Sequence, residues 1–409
     1  MKTTLAPWSL FAAMIAAAGL PIYIHAPKFY VDTYGVSLAA LGGMLALLRL
    51  IDVVQDPFFG WLAEVTRQKR AFGVVIATAL MALAMVGLFA IAPPFTPLLW
   101  FALTLTLLFS AYSYLTIVFY AQGVEKAVSL GANGHIRLAG WRETGSLIGV
   151  SLAAVAPVAL GAVSTTPFAM FAYAFAVLCL LAWVSMRGAW GNVATQTAGF
   201  ALFRPALSDP MARALLILAL INSAPVAVTS TLFLFFVESR LALPDYAGAY
   251  LLLFFLAAAA SAPIWGRLGA VLGEKRSLML GMVLSIAAFL GALSLGAGQG
   301  IAFGLICLGS GAALGADMVL LPAIFARRLA HLGNEAAGFG LWAFASKLSL
   351  ALAAAVVLPA LQWAGFQSGA QNTAAALSAL TWAYAGLPCA LKLIALAFLA
   401  RTSLQETPK

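Results

Sequence analysis

The sequence has little charge, and this shortage excludes a water-soluble globule. Asp, Glu, Lys and Arg make up 9% of the 409 residues, whereas 64% of the residues are hydrophobic and the mean hydropathy is +1.02. A soluble protein of this size needs more polar surface to cover its core. The chain must therefore be solvated largely by lipid.

Cysteine and histidine are equally scarce, at three residues each. The cysteines fall in separate apolar runs without ligand spacing, which argues against a disulfide framework or a zinc site. The histidines lie near the ends of runs without a matching nucleophile or ligand set, and no phosphate-binding Gly-rich loop with Lys-Ser/Thr is present. We therefore expect no cofactor and no enzymatic activity; a membrane-embedded enzyme or binding protein is the third interpretation, after two transport functions described below.

Apolar runs of about 20 residues, the length that crosses a bilayer, recur along the whole chain. The runs are continuously apolar and do not alternate, so they indicate helices and not barrel strands. We predict an all-α membrane protein with twelve transmembrane helices, at 7–26, 38–63, 72–93, 97–121, 137–163, 168–187, 213–237, 246–266, 277–297, 300–325, 338–363 and 375–400.

The basic residues predict the topology. With both termini in the cytoplasm, sixteen of the 22 Lys and Arg residues fall inside and only Lys28 and Arg240 outside. The net charge of +9 therefore reports orientation in the cytoplasmic (inner) membrane, and no nucleic-acid partner is expected. The polar segment 188–212 divides the spans into an N-terminal half at 1–187 and a C-terminal half at 213–409. Two six-helix halves are typical of a transporter with its substrate site at the midplane between them.

The second predicted span carries three charges on one helical face. Arg49, Asp52 and Asp56 are spaced three and four residues apart. Asp52 falls near the middle of the span, and Asp56 lies about 6 Å nearer the cytoplasm at a rise of about 1.5 Å per residue. A charge at this depth costs about 2.5–3.5 kcal/mol, so these side chains should face protein or a water-filled cavity.

Paired carboxylates at such a place have two chemical uses. Their oxygens suit Na⁺, and their mutual repulsion and desolvation raise one pKa so that a proton can be held. We interpret Asp52 and Asp56 as the binding residues of a coupling cation, Na⁺ or H⁺, with Arg49 in support; both acids are metal ligands if the ion is Na⁺. The alternative is a buried Arg–Asp–Asp network that only locks helices together.

Three further charged residues in the predicted spans are candidates for a role in transport. Arg142 has a planar donor fork that suits a solute hydroxyl or carboxylate, although it could equally anchor the helix. Its neighbour Glu143 is a supporting residue; because adjacent helical residues point in different directions, we do not expect the two to neutralise one another. Lys347 needs a carboxylate partner, and Asp52 or Asp56 would supply one that couples cation occupancy to closure.

Two charges in the C-terminal half rank lower. Asp317 follows small residues at 311 and 315 that suit close helix packing, so it is either a supporting site residue or a hydrogen-bonding group at a packing contact. Lys392 stands apart from an obvious partner and close enough to one boundary for its side chain to reach the interface. We assign Lys392 no role.

Several segments resemble the glycoside–pentoside–hexuronide:cation symporter family of the major facilitator superfamily, which includes the melibiose carrier. The similarity extends over nearly the whole chain. The matching segments are Lys28-Phe29-Tyr30 with Asp32 and Gly35, Arg49-x-x-Asp52-x-x-x-Asp56-Pro57 with Gly60-Trp61, Phe119 to Glu125, Arg142 with Gly149, and Phe339-Gly340-Leu341-Trp342 with Lys347.

The resemblance implies a major facilitator fold and assigns roles to several residues. It implies that Asp52 and Asp56 carry the coupling cation, that Lys347 lies near the cation site, and that Arg142 contacts sugar. Melibiose-type members also have sugar-binding acids on the first and fourth helices. Here the first span has no acid and the fourth reads Ala111-Tyr112-Ser113-Tyr114, so cation coupling is better supported than sugar specificity.

Taken together, these features predict a secondary active transporter that acts as a monomer in contact with membrane lipid. Its partner is a small polar molecule, a sugar or sugar-like compound, moved by symport with Na⁺ or H⁺ as the two halves rock. We expect Tyr112, Tyr120, Arg142 and Trp342 to line the solute site. The alternative is a carrier of a lysolipid or another amphipathic molecule, which the missing sugar-binding acids would favour.

Overall fold

The computed structural model describes residues 5–191, 199–367 and 371–402, which form helices and no strand. The α-helices, numbered in chain order, are α1 (Ala6–Ala17), α2 (Leu20–Tyr34), α3 (Leu38–Val65), α4 (Arg70–Phe89), α5 (Pro97–Val128), α6 (Gly134–Leu160), α7 (Pro167–Met186), α8 (Arg204–Ser208), α9 (Pro210–Phe235), α10 (Ala247–Leu272), α11 (Glu274–Ala292), α12 (Gly300–Leu332), α13 (Glu335–Trp363), α14 (Ala374–Thr381) and α15 (Leu387–Arg401).

The helices provide the twelve membrane-crossing segments that the apolar runs predict. Among the described residues, nine helical segments are long and apolar enough to cross a membrane. The other three segments are α3 and α6, which carry deep charges, and the pair α1 and α2, which together match the first apolar run. The all-α prediction is therefore confirmed, although several helices extend well beyond the apolar cores from which they were predicted.

The first span is broken in its middle. Helix α1 ends at Ala17, and α2 begins after Gly19, whose ψ angle of −118° lies outside the helical range. A Cβ atom on Gly19 would lie 3.5 Å from Cε2 of Tyr112 and 3.3 Å from the Ala16 carbonyl oxygen. The break therefore lies beside a predicted solute-site residue, and a Cβ at Gly19 would be in ordinary van der Waals contact with the Tyr112 ring and tight only against the Ala16 carbonyl oxygen.

Two segments widen to π-helical geometry. Phe236–Arg240 extends α9, and Trp382–Gly386 joins α14 to α15. The Phe236 and Tyr384 rings stack with centroids 4.1 Å apart and an interplanar angle of 12°. π-helical turns are uncommon and occur often at functional sites.

The chain divides into two compact units. The first unit contains Met1–Ser208 together with Leu329–Phe344, and the second contains Asp209–Arg328 together with Ala345–Lys409. Residues 192–198, within the predicted central loop, lie outside the described residues. The division of the chain at 1–187, 188–212 and 213–409 stays a prediction.

Close helix packing organises the first unit. On α6, Gly145 and Gly149 meet the backbone of Ser9 and Ala13 on α1 so closely that a Cβ atom at either glycine would clash. Gly340, at the start of α13, likewise approaches Gly60 on α3. Small residues at these contacts let helix backbones approach in a lipid environment, where packing and not hydrophobic exclusion holds helices together. This packing places the polar residues of α3, α5 and α6 within one unit.

Candidate functional site

The two acids of α3 are buried within the first unit. Asp52 is 6% exposed and Asp56 is 0% exposed. The Asp52 Oδ1 atom accepts hydrogen bonds from Gln55 Nε2 at 2.9 Å and from Ser113 Oγ on α5 at 3.2 Å. Ser110 Oγ donates to Gln55 Oε1 at 2.9 Å, which fixes the orientation of that amide. Asp52 therefore lies in a polar environment built from α3 and α5, away from lipid.

This environment suits a cation with oxygen ligands. Carboxylate and hydroxyl oxygens are hard ligands of the kind that alkali and alkaline-earth ions prefer. No group of three or more His, Cys, Asp or Glu residues that could hold a metal ion occurs in the described part of the chain. A Na⁺ ion here would therefore need hydroxyl or backbone oxygens in addition to Asp52 and Asp56, and Ser113 supplies a hydroxyl at the site.

Arg142 and Glu143 form an ion pair, contrary to the expectation from their adjacent positions. Arg142 Nε lies 2.7 Å from Glu143 Oε1, and both residues are buried, at 4% and 1% exposure. Tyr120 OH donates to the same Oε1 atom at 2.8 Å, and the Arg142 guanidinium carbon lies 3.6 Å from the Tyr120 ring centroid. The prediction was wrong because Cβ directions do not limit long side chains, which can fold back towards each other in a buried environment.

Tyr112 connects this cluster electrostatically with the acids of α3. It interacts with the charges of Asp52, Asp56 and Glu143, and it is the neighbour of Ser113, which contacts Asp52 directly. The structure thus brings Tyr112, Tyr120 and Arg142 together with Asp52 and Asp56 in one polar region of the first unit.

The first turns of α13 contribute an aromatic wall to the same region. The centroids of the Phe339 and Tyr120 rings lie 5.1 Å apart, and the two rings pack edge to face. Trp342 is partly buried and lies three residues farther along α13, on the same face as Phe339. Its place beside Phe339 is compatible with the predicted role at the solute site.

Two predicted residues lie beyond this description. The backbone of Arg49 belongs to α3, but its side chain lies outside the described residues. Lys347 is partly buried on α13 and belongs to the second unit. The supporting role of Arg49 and the pairing of Lys347 with Asp52 or Asp56 stay predictions.

A charge network in the first unit, which we call the Arg67 network, was not anticipated. Arg67 contacts three carboxylates: Nη1 lies 2.9 Å from Glu64 Oε1 and 3.2 Å from Glu335 Oε2, and Nη2 lies 2.8 Å from Glu125 Oε1. Arg70 Nη1 joins it at 3.0 Å from Glu125 Oε1. Arg67 and Arg70 are among the sixteen basic residues that the sequence places on the cytoplasmic side, without predicted ion-pair partners. The acids at the ends of α3, α5 and α13 were the signal for an ion-pair network.

The second unit contains a buried charge pair that the sequence interpretation also missed. Lys392 is 2% exposed, and its Nζ atom contacts Asp317 Oδ2 and donates to Asn222 Oδ1 at 2.7 Å. The expectation that Lys392 reaches the membrane boundary was wrong, because the side chain turns inward to a carboxylate on α12. Two opposite charges deep within one half of the chain were the available signal.

A comparison with protein-family models decides the family. The model described as MFS/sugar transport protein matches residues 9–406. The chain belongs to the major facilitator superfamily. The match covers all described helices except the first residues of α1, so the family extends over both units.

Solved structures share this major facilitator fold at low sequence identity. A bacterial homologue of the iron transporter ferroportin, in the outward-facing state, has a TM-score of 0.70 and 15% identity over 97% of this chain and 99% of that chain. The human organic anion transporter MFSD10 (TETRAN) has a TM-score of 0.68 and 16% identity over 97% and 98% of the two chains. A variant of the E. coli fucose:proton symporter FucP has a TM-score of 0.66 and 14% identity over 97% and 98%.

The family match supports a multi-pass membrane transporter, whereas the solved structures, at such identities, show the fold alone. The narrower resemblance of this major facilitator protein to the melibiose-type symporters stays a prediction, as do the choice of membrane and the cytoplasmic position of both termini.

Proposed function

We propose that this major facilitator protein is a cation-coupled symporter of a small polar solute, a sugar or sugar-like compound. Na⁺ or H⁺ binds at Asp52 and Asp56, and Tyr112, Tyr120, Arg142 and Trp342 contact the solute. The observation that supports this most is the burial of two carboxylates one turn apart on α3, of which Asp52 accepts a hydrogen bond from the Ser113 hydroxyl of α5. Acids deep in a membrane segment are costly and mark ion pathways.

The link between cation and solute runs along α5. Ser113 contacts Asp52, and the adjacent Tyr112 interacts electrostatically with Asp52, Asp56 and Glu143. Neutralising the α3 acids with Na⁺ or a proton removes negative charge from beside Tyr112 and leaves its hydroxyl better able to donate a hydrogen bond to the solute. Cation binding therefore favours solute binding, and thermodynamic linkage requires that the solute favours the cation equally.

Contacts with Tyr120 and Glu143 fix the plane of the Arg142 guanidinium, which suits it to bind a planar or paired polar group of the solute. The guanidinium lies over the Tyr120 ring, and Glu143 accepts a hydrogen bond from its Nε atom. A planar fork with its orientation fixed suits paired hydroxyls or a carboxylate better than a lysine would. We therefore expect Arg142→Lys, which keeps the charge, to lower solute affinity while leaving the cation site intact.

The proposal is tested by uptake into proteoliposomes with an imposed Na⁺ or pH gradient, using radiolabelled sugars, sugar acids and lysolipids. We expect uphill accumulation of a polar solute with one of the two gradients, abolished by Asp52→Asn. Asp245→Asn makes the same chemical change at an exposed position between α9 and α10 and should retain uptake. Unchanged uphill uptake in Asp52→Asn would refute the coupling role, and accumulation of lysolipid alone would favour the amphipathic carrier.

A further inference from the structure

A groove between α3, α4 and α5 of the first unit, which we call the Lys69 groove, has room for a ligand. Its volume is about 400 Å³, within the range of about 300–1,000 Å³ that is usual for ligand sites. Phe72 and Ile76 on its α4 side are 65% and 50% exposed, so the groove is open along this helix. The residues that line it include Phe59 and Leu62 of α3, Leu80 of α4 and Ala111 of α5.

The groove extends from a membrane interface to about the depth of one leaflet. Lys69 lies in the short turn Arg67–Lys69 that joins α3 to α4, between the predicted spans 38–63 and 72–93. Leu80, the lining residue farthest along α4, lies ten residues after the helix begins at Arg70. At about 1.5 Å per residue this distance is roughly 15 Å, which is half of the ~30 Å hydrocarbon layer. The length of the groove therefore suits a single acyl chain.

The walls of the groove offer little to a polar ligand. Thr66 Oγ1 donates to the Leu62 carbonyl oxygen at 2.7 Å, and Ser110 Oγ donates to Gln55 Oε1 at 2.9 Å. The Tyr114 hydroxyl packs so closely on Gly73 that a Cβ atom there would clash with it. The hydroxyls along the groove are thus engaged within the protein, and its remaining surface favours hydrocarbon.

One positive charge lies at the interfacial end of this apolar groove. Lys69 is exposed, and no hydrogen bond or ion pair of its ammonium group occurs in the described part of the chain. The acids of the Arg67 network do not neutralise it, because Glu64 and Glu125 pair with Arg67 and Glu125 also pairs with Arg70. The Lys69 ammonium is therefore available to an anion at the membrane surface.

The apolar walls and the terminal charge together select one class of ligand. A soluble anion would pair with Lys69 but leave the apolar groove unfilled, and a neutral hydrocarbon would fill the groove but leave Lys69 without a counter-ion. A zwitterionic headgroup brings its own cation and so gains less from Lys69 than an anionic headgroup does. A phospholipid with net negative charge meets both requirements.

We propose that the Lys69 groove binds one anionic phospholipid, with an acyl chain along α4 as far as Leu80 and the phosphate at Lys69. Neither residue belongs to the cation site or the solute site proposed above, so the inference does not rest on symport. The lipid lies close to the cation site all the same, since Ser110 of the groove donates to Gln55 and Gln55 donates to Asp52.

Native mass spectrometry of the delipidated full-length protein in detergent tests this proposal. The protein is titrated with phosphatidylglycerol or with phosphatidylcholine of identical acyl chains, and Kd is measured for the first bound lipid. We expect phosphatidylglycerol to bind about fivefold more tightly, the factor that one lysine near an anionic headgroup contributes. Glycerol 3-phosphate, which has the phosphate without the chains, should not compete. Equal Kd values for the two lipids, or competition by glycerol 3-phosphate, would overturn the proposal.

Charge variants test the role of Lys69. Lys69→Gln should remove the preference for phosphatidylglycerol over phosphatidylcholine. Lys126→Gln is the matched control, because Lys126 is next to Glu125 of the Arg67 network but does not line the groove, and it should keep the preference. A preference that survives in Lys69→Gln, or that both variants lose equally, would contradict the proposal.

Size variants test the path of the acyl chain. Leu80→Trp fills the deep end of the groove and should weaken the first binding of both lipids about tenfold, as expected when roughly two methylene groups are no longer buried. Leu83→Trp adds the same bulk to α4 at a position that is 69% exposed and outside the groove, and it should bind as the wild type does. Equal Kd values for the two tryptophan variants would exclude this path.

Folding is checked by thermal unfolding in lipid-free detergent, where Lys69→Gln should match the wild type. If Leu80→Trp does not fold, the comparison of Lys69→Gln with Lys126→Gln decides the proposal by itself. No gradient or solute enters these measurements, so their outcome is separate from that of the Asp52→Asn uptake experiment.

Discussion

Removal of Arg67 should destabilise the protein more than removal of any exposed basic residue near it. Arg67 lies at the junction of α3 and α4, where its guanidinium contacts Glu64, Glu125 and Glu335 within 3.2 Å. Its side chain is 9% exposed, and those of Glu64 and Glu335 are 1% and 8% exposed. Arg67→Met keeps much of the side-chain volume but leaves these carboxylates without their common partner.

The expected loss follows from the burial of the acids that remain. Breaking a buried ion pair by removing one partner costs about 3–5 kcal/mol, since the other charge is left desolvated. The cost is not three times larger, because Glu125 is 23% exposed and keeps Arg70 at 3.0 Å. At about 1.4 kcal/mol per tenfold, the folded-to-unfolded ratio should fall by between about 10² and 10⁴.

Reversible unfolding in SDS or guanidinium, followed by tryptophan fluorescence, measures this difference. Lys69→Met is the matched control, because Lys69 is an exposed basic residue two positions away, and such surface changes alter stability by about 0.5 kcal/mol or less. Equal losses for the Arg67 and Lys69 variants, within about 1 kcal/mol, would refute the reasoning. The Arg67 network would then contribute nothing beyond a solvated surface pair.

Two further predictions concern acid sensitivity and helix packing. Asp209 caps α9 by accepting from the Ala212 N–H and pairs with Arg328 on α12; the Arg328 hydrogen bonds, partly opposed by burial, lower the Asp209 pKa below its ordinary 3.8. A lowered folded-state pKa means that the ion pair stabilises above about pH 4 and is lost as the pH falls through the lower value. Asp209→Asn, still a good cap, should therefore lose about 1–2 kcal/mol at pH 7, and this deficit should shrink in unfolding curves as the pH is lowered below about 4; a constant deficit would contradict the assignment. On α6, Gly149→Ala should destabilise the protein by about 1–3 kcal/mol because its Cβ would meet the Ala13 backbone. Gly140→Ala, on the same helix but with open space around it, should be neutral or stabilising by up to about 1 kcal/mol. Thermal unfolding of the two variants measures this difference, and equal effects would contradict the packing argument.

The charged residues show which features of the candidate site can be predicted from the sequence. The depth of Asp52 and Asp56 could be predicted because helical rise and periodicity place residues along and around an apolar helix. The partners of those residues could not be predicted in the same way. Ser113 meets Asp52 only because α5 packs against α3 in a particular register, and no local pattern states that register.

Arg142 and Lys392 illustrate the same limit. The Arg142–Glu143 pair depends on side-chain torsions within a buried site shared with Tyr120. Lys392 looked like a residue that reaches the interface, since its distance from the helix end allows this. Its partner Asp317 is 75 residues away along the chain, and only the tertiary fold brings the two side chains together.

The amino-acid sequence by itself determined the solvent, the secondary structure and the number of spans. Unpaired backbone groups are too costly in hydrocarbon for a long apolar run to be anything but a helix, so these features are local consequences of composition. Tertiary structure decided which charges are neutralised, where the first span breaks beside Tyr112, and which acids share Arg67. Those outcomes depend on contacts between residues distant in the chain, where a rotation of one helix by a single residue would exchange a buried ion pair for an unpaired charge.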